Sequence, residues 1–385
     1  MYDVIVVGAG PAGASAAYEL AGRGARVALI EKEVLPRYKA CGGGLVYRAR
    51  KLIPFPIDGV VERECHKAEM HLWDAGLHFQ VVRDEPIVSM TMRAKLDHAL
   101  TMAAQSAGVE VMTGWPVRDV APHPDSIEVV GERGRLSARF LVGADGVMST
   151  VARKTGFHRD RPTAPAVEWE IRVSDELLER FSRSARFDFG LIPNGYGWVF
   201  PKSDHLSVGI GSGKRAHVNL SRLLKEYLIM CGLSRMELVE AHGSLLPVRP
   251  MGAPFVRGRV ILAGDAAGFV DPLSGEGLTF SILSGRDAAR AVLDNGYDPT
   301  AVSAAYAARI EEEILTEMKW ARFLGRFLYG GPRLRRFLFQ RYGQSFCEIV
   351  ADVLTGRRSY RQMLTHVPNY LELLRFWKYG GMKSE

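Results

Sequence analysis

The chain has 385 residues, 47% of them hydrophobic and 24% charged, which excludes a disordered or fibrous protein and allows one large or two interleaved globular domains. No uncharged apolar run reaches the roughly 18 residues that cross a bilayer, and Cys41, Cys65, Cys231 and Cys347 have no metal-ligand spacing. The net charge of +7 is uneven: residues 301–385 hold 14 Lys and Arg against 8 Asp and Glu, with no nucleic-acid recognition motif beside them.

Tyr2–Val7 reads as a buried strand rather than an export signal, so the cysteines are expected as thiols in a reducing cytosol. Gly8-Ala9-Gly10-Pro11-Ala12-Gly13 follows, then an Ala-rich helix to about Arg23, then a strand over 26–30 closed by Glu31 and Lys32. This is a complete βαβ unit. Gly8 permits the tight turn, Gly10 lets a pyrophosphate approach the backbone, and Gly13 lets helix and strand pack closely. The helix start, at Pro11 and Ala12, offers free N–H groups and partial positive charge. Glu31, 18 residues after Gly13, is expected to accept from an adenosine ribose, which favours NAD or FAD over NADP.

Farther on, Cys41, Gly42, Gly43 and Gly44 form a loop whose missing side chains let a backbone lie against a flat ring. Strand-like runs cover 68–73, 78–82, 167–173, 186–191, 196–201 and 205–211, and their turns predict an antiparallel sheet. His66, His71 and His78 fall in this region without a metal pattern, so no metal is expected. Tyr196, Trp198 and Phe200 share one strand face at period two, a flat apolar wall suited to a hydrocarbon. Residues 219–231 predict a helix on the back of that sheet. A second buried strand over 259–263 runs into Gly264 and Asp265, then a loop with Gly275, Glu276 and Gly277, then a helix from Leu278 to about Val292. An Asp at the end of a parallel strand faces the ligand crevice, and the helix start favours negative charge there. From Thr300 the pattern is helical, broken at Gly330-Gly331-Pro332 and at Pro368. Basic and aromatic residues alternate there, which suits either a helical cap packed on the domain or a membrane-surface segment.

The N-terminal βαβ unit, Gly143-Ala-Asp145-Gly146-Val-Met-Ser149-Thr-Val-Ala-Arg153 and Gly264-Asp265 resemble, in order, the three fingerprints of the FAD-dependent hydroxylase-like superfamily. The resemblance implies that Asp265 binds the flavin ribityl chain, that Asp145 and Gly146 border the cofactor, and that Arg93 lies beside the pyrophosphate. Arg37-Tyr-Lys-Ala-Cys41-Gly-Gly-Gly44 and Pro193-Asn-Gly-Tyr196-Gly-Trp198-Val-Phe200-Pro201 resemble signatures of the geranylgeranyl reductase family, whose PxxYxWxFP motif matches at every fixed position. Gly268 and Thr279 depart from the His and Asn usual in aromatic hydroxylases, and Tyr196 and Phe200 depart from the Trp-x-Trp-x-Ile-Pro run of tryptophan halogenases.

The expected fold class is therefore α/β. A Rossmann-like FAD-binding domain (residues 1–62, 92–160 and 245–299) is interleaved with an antiparallel β-sheet substrate domain (63–91 and 161–244), followed by a C-terminal helical region (300–385). The implied activity is FAD-dependent reduction of isolated C=C bonds in a prenyl chain of a lipid, quinone or chlorophyll precursor, with hydride from N5 of the reduced flavin. Cys41, Tyr196 and Trp198 are the catalytic candidates, Cys41 as proton donor, tuner of the ring or simply a small residue that fits the loop. NAD(P)H and ferredoxin both remain as electron donor. A flavin monooxygenase or halogenase, and a non-catalytic prenyl-lipid-binding flavoprotein, are the alternatives. The expected location is cytoplasmic, with peripheral membrane contact through the basic C-terminal region left open.

Overall fold

The computed structural model describes residues 1–157, 162–213 and 219–365. Its parallel core is built on Tyr2–Val7, which lies between Gly134–Gly143 and Val27–Ile30. Glu110–Met112 and Val260–Leu262 extend this core in parallel on its two sides. The register aligns Val7 with Ile30 and Gly143, and Gly143 with Leu262, so the strands end level. A crevice at that carboxyl edge is where an open α/β sheet binds ligands. Val117–Pro122 and Ile127–Gly131 form an antiparallel extension on Gly134–Gly143.

Pro11–Gly22 covers this sheet together with Leu278–Asp294. The two helices approach closely because their facing residues are small: a Cβ on Gly285 would come within 2.1 Å of the Ala12 carbonyl oxygen.

The second sheet has seven strands, in spatial order Glu237–Pro247, Thr163–Arg172, Leu206–Ser212, Gly195–Pro201, Ser184–Phe189, Lys67–Leu72 and Leu77–Val82. All neighbours are antiparallel except Ser184–Phe189 and Lys67–Leu72, which run parallel. That pairing joins segments more than a hundred residues apart, so no hairpin turn imposes the antiparallel sense expected from the sequence. Glu237–Pro247 was not expected. It is an edge strand with mostly exposed side chains, and it lacks the clean alternation of a half-buried one. Residues 63–91 were assigned wholly to the substrate sheet. In the structure Val88–Thr91 instead pairs with Val61–Cys65 on one side and with Gly44–Val46 on the other, a separate three-stranded sheet that anchors the Gly42–Gly44 loop.

Asn219 caps the helix Leu220–Met230, which packs on the back of the seven-stranded sheet. Gly197 makes room there for Tyr227, so odd-numbered positions of Gly195–Pro201 face back and Tyr196, Trp198 and Phe200 face forward. The C-terminal region is helical over Pro299–Ile310, Thr316–Leu328, Pro332–Thr355 and Tyr360–Thr365, with the break at Gly330–Pro332 as the sequence implies. The break expected at Pro368 lies outside the described residues. No helix among the described residues is long and apolar enough to cross a membrane.

Candidate functional site

The crevice begins at the glycine turn. Gly8 has φ +103°, and a Cβ on it would lie 2.3 Å from the Ala144 carbonyl oxygen. A Cβ on Gly13 would lie 1.8 Å from the Gly8 oxygen. These two glycines permit close backbone packing. Gly10 differs, since a Cβ there would meet only Arg93 Nη2, at 3.9 Å, so its backbone stays open to the crevice. The following helix starts at Pro11 with no side-chain cap, which leaves its first amides as donors. Glu31 is buried and accepts from the Ala9 amide at 2.8 Å, bracing the turn, with Arg37 3.7 Å away. Lys32 stands exposed at the rim.

Arg93 lies behind the turn. Its guanidinium donates twice to fully buried Asp97, at 2.8 and 2.9 Å, and Arg37 donates to the same carboxylate at 2.8 Å. Asp145 accepts from the Ser149 hydroxyl and from the Thr150 and Val151 amides at 2.7 and 3.0 Å, so it caps a short helix at the crevice edge. Burial nonetheless raises its pKa.

The distant segment reaches the same crevice. Asp265 lies 3.5 Å from Lys39 Nζ. Glu276 turns its carboxylate to the Thr279 amide at 2.7 Å and to Arg48 at 3.1 Å, which leaves the backbone of Gly275 and Gly277 bordering the space. One cavity of about 860 Å³ is lined by every site residue expected from the sequence except Gly13 and Gly264. Those two sit behind its wall, Gly264 with φ +56° against Ala12 and Ser281. This donor set, with an uncapped helix start and side-chain-free stretches at Gly10 and Gly42–Gly44, fits a dinucleotide carrying a flat ring.

Beyond the ring position the seven-stranded sheet forms a floor. Cross-strand partners share a face, and the register aligns one row: Phe79, Met70, Phe187, Trp198, Gly209, Glu168 and His242. The row is apolar from Phe79 to Trp198 and polar from Glu168 onward. Trp198 lies flat over Gly209, where a Cβ would come within 2.1 Å of its ring, and a Cβ on Gly42 would come within 2.8 Å of its indole nitrogen. Among the described residues that buried N–H has no hydrogen-bond partner. Tyr196 and Phe200 flank the indole at centroid distances of 6.0 and 6.4 Å, and the Tyr196 hydroxyl donates to the Ser274 carbonyl.

Three residues of this site were missed in the sequence. Lys202 is fully buried and donates to the Gly42 and Thr91 carbonyls at 2.7 and 2.9 Å, pinning the glycine loop. Burial lowers its pKa, against Glu170, Cys41 and Glu168, which favour its charge. Period two alone would have placed it on the face of Tyr196, Trp198 and Phe200. Glu168 accepts from the Cys41 amide at 2.7 Å and the Tyr38 hydroxyl at 2.8 Å, and Tyr38 stacks on His242 at 3.8 Å. Gly209 gave no signal, because its partner is a side chain on the neighbouring strand.

Cys41 lines the cavity, its Sγ accepting from the Gly43 amide at 3.5 Å. Away from the floor, Glu69, His71 and His78 bring ligand-type atoms within 4.8 Å of one another. Lys67 Nζ lies 2.5 Å from Glu69, however, and hydrogen bonding from His71, then Lys67, pulls that carboxyl down to about 2 against burial. A cation already holds the carboxylate.

A family described as "FAD binding domain" matches residues 1–194. The geranylgeranyl diphosphate reductase of Rhodobacter capsulatus is 30% identical over 307 residues, covering 76% of this chain and 75% of that protein. The menaquinone reductase of Mycolicibacterium smegmatis is 30% identical over 358 residues, covering 87% and 86%. Among solved structures, a geranylgeranyl bacteriochlorophyll reductase-like protein of Thermoplasma acidophilum superposes with a TM-score of 0.77 at 22% identity, covering 92% of this chain and 91% of that one. A flavin-dependent brominase gives 0.73 at 21%, covering 92% and 93%. At such identities the structural likeness establishes the fold alone.

Proposed function

We propose that this chain, which belongs to the geranylgeranyl reductase family of FAD-dependent oxidoreductases, reduces isolated C=C bonds in a prenyl chain laid along the Tyr196–Trp198–Phe200 wall. The observation that carries this reading is the continuity of one cavity. It runs from the glycine turn, past the aromatic wall, to an apolar end lined by Leu328, Phe346, Val350 and Leu354. Such an end suits a long hydrocarbon. Gly10, the Pro11 helix start, Arg93, Asp265 and the Gly275–Gly277 loop would hold FAD, with Cys41–Gly43 against its ring. When bound and reduced, FAD supplies the hydride.

An isolated alkene is not polarised, so the protein contributes chiefly by positioning it and excluding water. Trp198 and Phe200 hold the chain, while Lys202 keeps the Gly42 backbone seated against them. Dithionite-reduced enzyme incubated with geranylgeranyl compounds should yield products heavier by dihydrogen per reduced bond, read by mass spectrometry. An oxygenated or halogenated product formed in air would favour the monooxygenase or halogenase reading instead. Trp198→Ala should lower reduction by about tenfold or more while FAD stays bound, as expected for lost positioning. Wild-type turnover in that variant would remove the aromatic wall from the mechanism. NAD(P)H or a ferredoxin would supply the electrons.

The substrate class also accounts for the surface of the C-terminal helices. Phe323, Phe327, Leu334 and Phe337 are exposed around the turn between Thr316–Leu328 and Pro332–Thr355. Lys319, Arg326, Arg333 and Arg336 are exposed on the same two helices, and among the described residues none of these four pairs with a carboxylate. Each cation contributes about 1 kcal/mol near an anionic bilayer. The flavin-loaded protein should co-sediment with phosphatidylglycerol vesicles and not with phosphatidylcholine ones. Changing Phe327 and Phe337 together to Ser should weaken that binding by roughly tenfold. Equal sedimentation with both vesicles would remove the charge argument.

A further inference from the structure

Reduction of an alkene needs a proton as well as a hydride, and the cavity that excludes water must hold the proton's source. Most groups with an exchangeable proton along the cavity are already committed. The Tyr196 hydroxyl donates to the Ser274 carbonyl, Lys202 to two carbonyls, and Arg93 to Asp97. Glu69 is held ionised by His71 and Lys67, and Glu276 faces Arg48. Asp145 accepts from Ser149 and two amides at the crevice edge, Asp265 lies beside Lys39, and Cys347 lines the apolar end. Near the Trp198 floor Tyr38, Cys41 and Glu168 remain, and Tyr38 spends its hydroxyl on Glu168.

We infer that Glu168 is the general acid of this site, donating the proton to the alkene carbon that does not receive hydride; this rests on the prenyl-reductase reading above. Geometry carries the assignment. Glu168 is buried, lines the cavity, and stands in register with Trp198 across Gly209. Gly209 has no side chain, so the Trp198 ring extends over it toward Glu168, and a chain lying on the indole would meet the carboxyl at the edge of that ring. Both hydrogen bonds to the carboxyl, from the Cys41 amide and the Tyr38 hydroxyl, fall on Oε1. Oε2 is therefore the oxygen that carries a proton toward the cavity.

The groups that face Glu168 agree with this. Burial raises its pKa, the Tyr38 hydrogen bond opposes that rise, Glu170 on the same strand adds to it, and the Cys41 amide and Lys202 oppose it. On the adjoining strand its partner is His242, partly exposed and stacked on Tyr38. In the reaction the π bond breaks. Its electron pair takes the proton from Oε2 to form one C–H bond, and the hydride that reduced FAD would supply, becoming oxidised FAD, forms the other. The O–H pair stays on Glu168 as carboxylate charge, which the Cys41 amide and Tyr38 hydroxyl already stabilise.

Glu168→Gln, Glu168→Asp and Cys41→Ser, each flavin-loaded in the full chain and reduced anaerobically, test the assignment. Infrared spectroscopy should show a protonated-carboxyl stretch in the wild type that Glu168→Gln lacks. Reduction should fall about 100-fold in Glu168→Gln and recover in part in Glu168→Asp, within the usual contribution of a general acid. Because the acid form is the active one and its folded pKa is raised, wild-type reduction should persist at low pH and fall as pH rises through that pKa. The Gln variant should lack this limb. Glu168→Gln within about twofold of wild type, or an unchanged infrared band, overturns the assignment. Loss of activity in Cys41→Ser alone would also overturn it, making the thiol the donor. A wild type that adds no hydrogen to any prenyl bond sinks the reductase reading and the acid role together, whereas failure confined to the Glu168 variants leaves that reading intact.

Discussion

Arg93→Ala should destabilise the protein by about 3 kcal/mol and release its flavin, because it strips a fully buried carboxylate of its principal partner. Asp97 has no solvent exposure and accepts two hydrogen bonds from Arg93, at 2.8 and 2.9 Å, and one from Arg37 at 2.8 Å. Breaking a buried pair costs about 3–5 kcal/mol, and Arg37, which stays, sets the expectation at the lower end. The pH dependence provides a signature. Burial alone would raise the Asp97 pKa, but Arg93 and then Arg37 and Lys39 hold it below the ordinary aspartate value. A depressed carboxylate contributes stability above the unfolded pKa of about 3.9, and that contribution is lost as pH falls through the folded value. The variant has less of it to lose. The gap between wild type and variant, measured by urea denaturation, should therefore hold from neutral down to about pH 4 and narrow as the buffer is taken below it. Because Arg93 Nη2 also sits beside Gly10, bound-flavin absorbance should fall even under conditions where the variant is fully folded. A stability loss below about 1 kcal/mol would mean that Arg37 alone satisfies Asp97.

How much of this could be read in the residues depends on how far apart the interacting parts lie. The βαβ unit was legible because its turn, helix and second strand are contiguous, and the structure forms Tyr2–Val7, Pro11–Gly22 and Val27–Ile30. The aromatic wall was legible for the same reason: Tyr196, Trp198 and Phe200 obey period two within one strand. Lys202 obeys it as well, but a lysine at that position looks like a strand end meeting solvent. Its burial depends on carbonyls contributed by Gly42 and Thr91, far away in the chain. Glu168 was hidden likewise, since it becomes a cavity residue only through the Tyr38–Gly42 loop that folds over it. The three-stranded sheet that anchors this loop pairs Gly44–Val46 with Val88–Thr91, a long-range choice that neither strand announces.

Gly209→Ala is the sharpest test of the floor, because the smallest possible addition enters the space of its largest side chain. A methyl group at Gly209 would stand 2.1 Å from Trp198 Cζ2 and 2.6 Å from two further ring atoms. Real contacts do not reach such distances, so the indole must move. It cannot retreat toward Gly42, where a Cβ would already lie 2.8 Å from Nε1 and 3.0 Å from the Phe200 ring. The ring thus occupies a slot made by two missing side chains, and filling one side forces it out. The overpacking should cost about 1–3 kcal/mol, and prenyl reduction should fall at least as far as in Trp198→Ala. FAD should remain bound, since the Gly8–Gly13 turn and Asp265 are untouched. The smaller ring in Trp198→Phe relieves the clash, so combining it with Gly209→Ala should return part of the lost stability. Coupling between the two positions of roughly 0.5–3 kcal/mol would be read from a double-mutant cycle. If the two changes instead add independently, the indole does not rest on Gly209. The edge of the indole over Gly209 would then not be the place where a prenyl chain meets its proton.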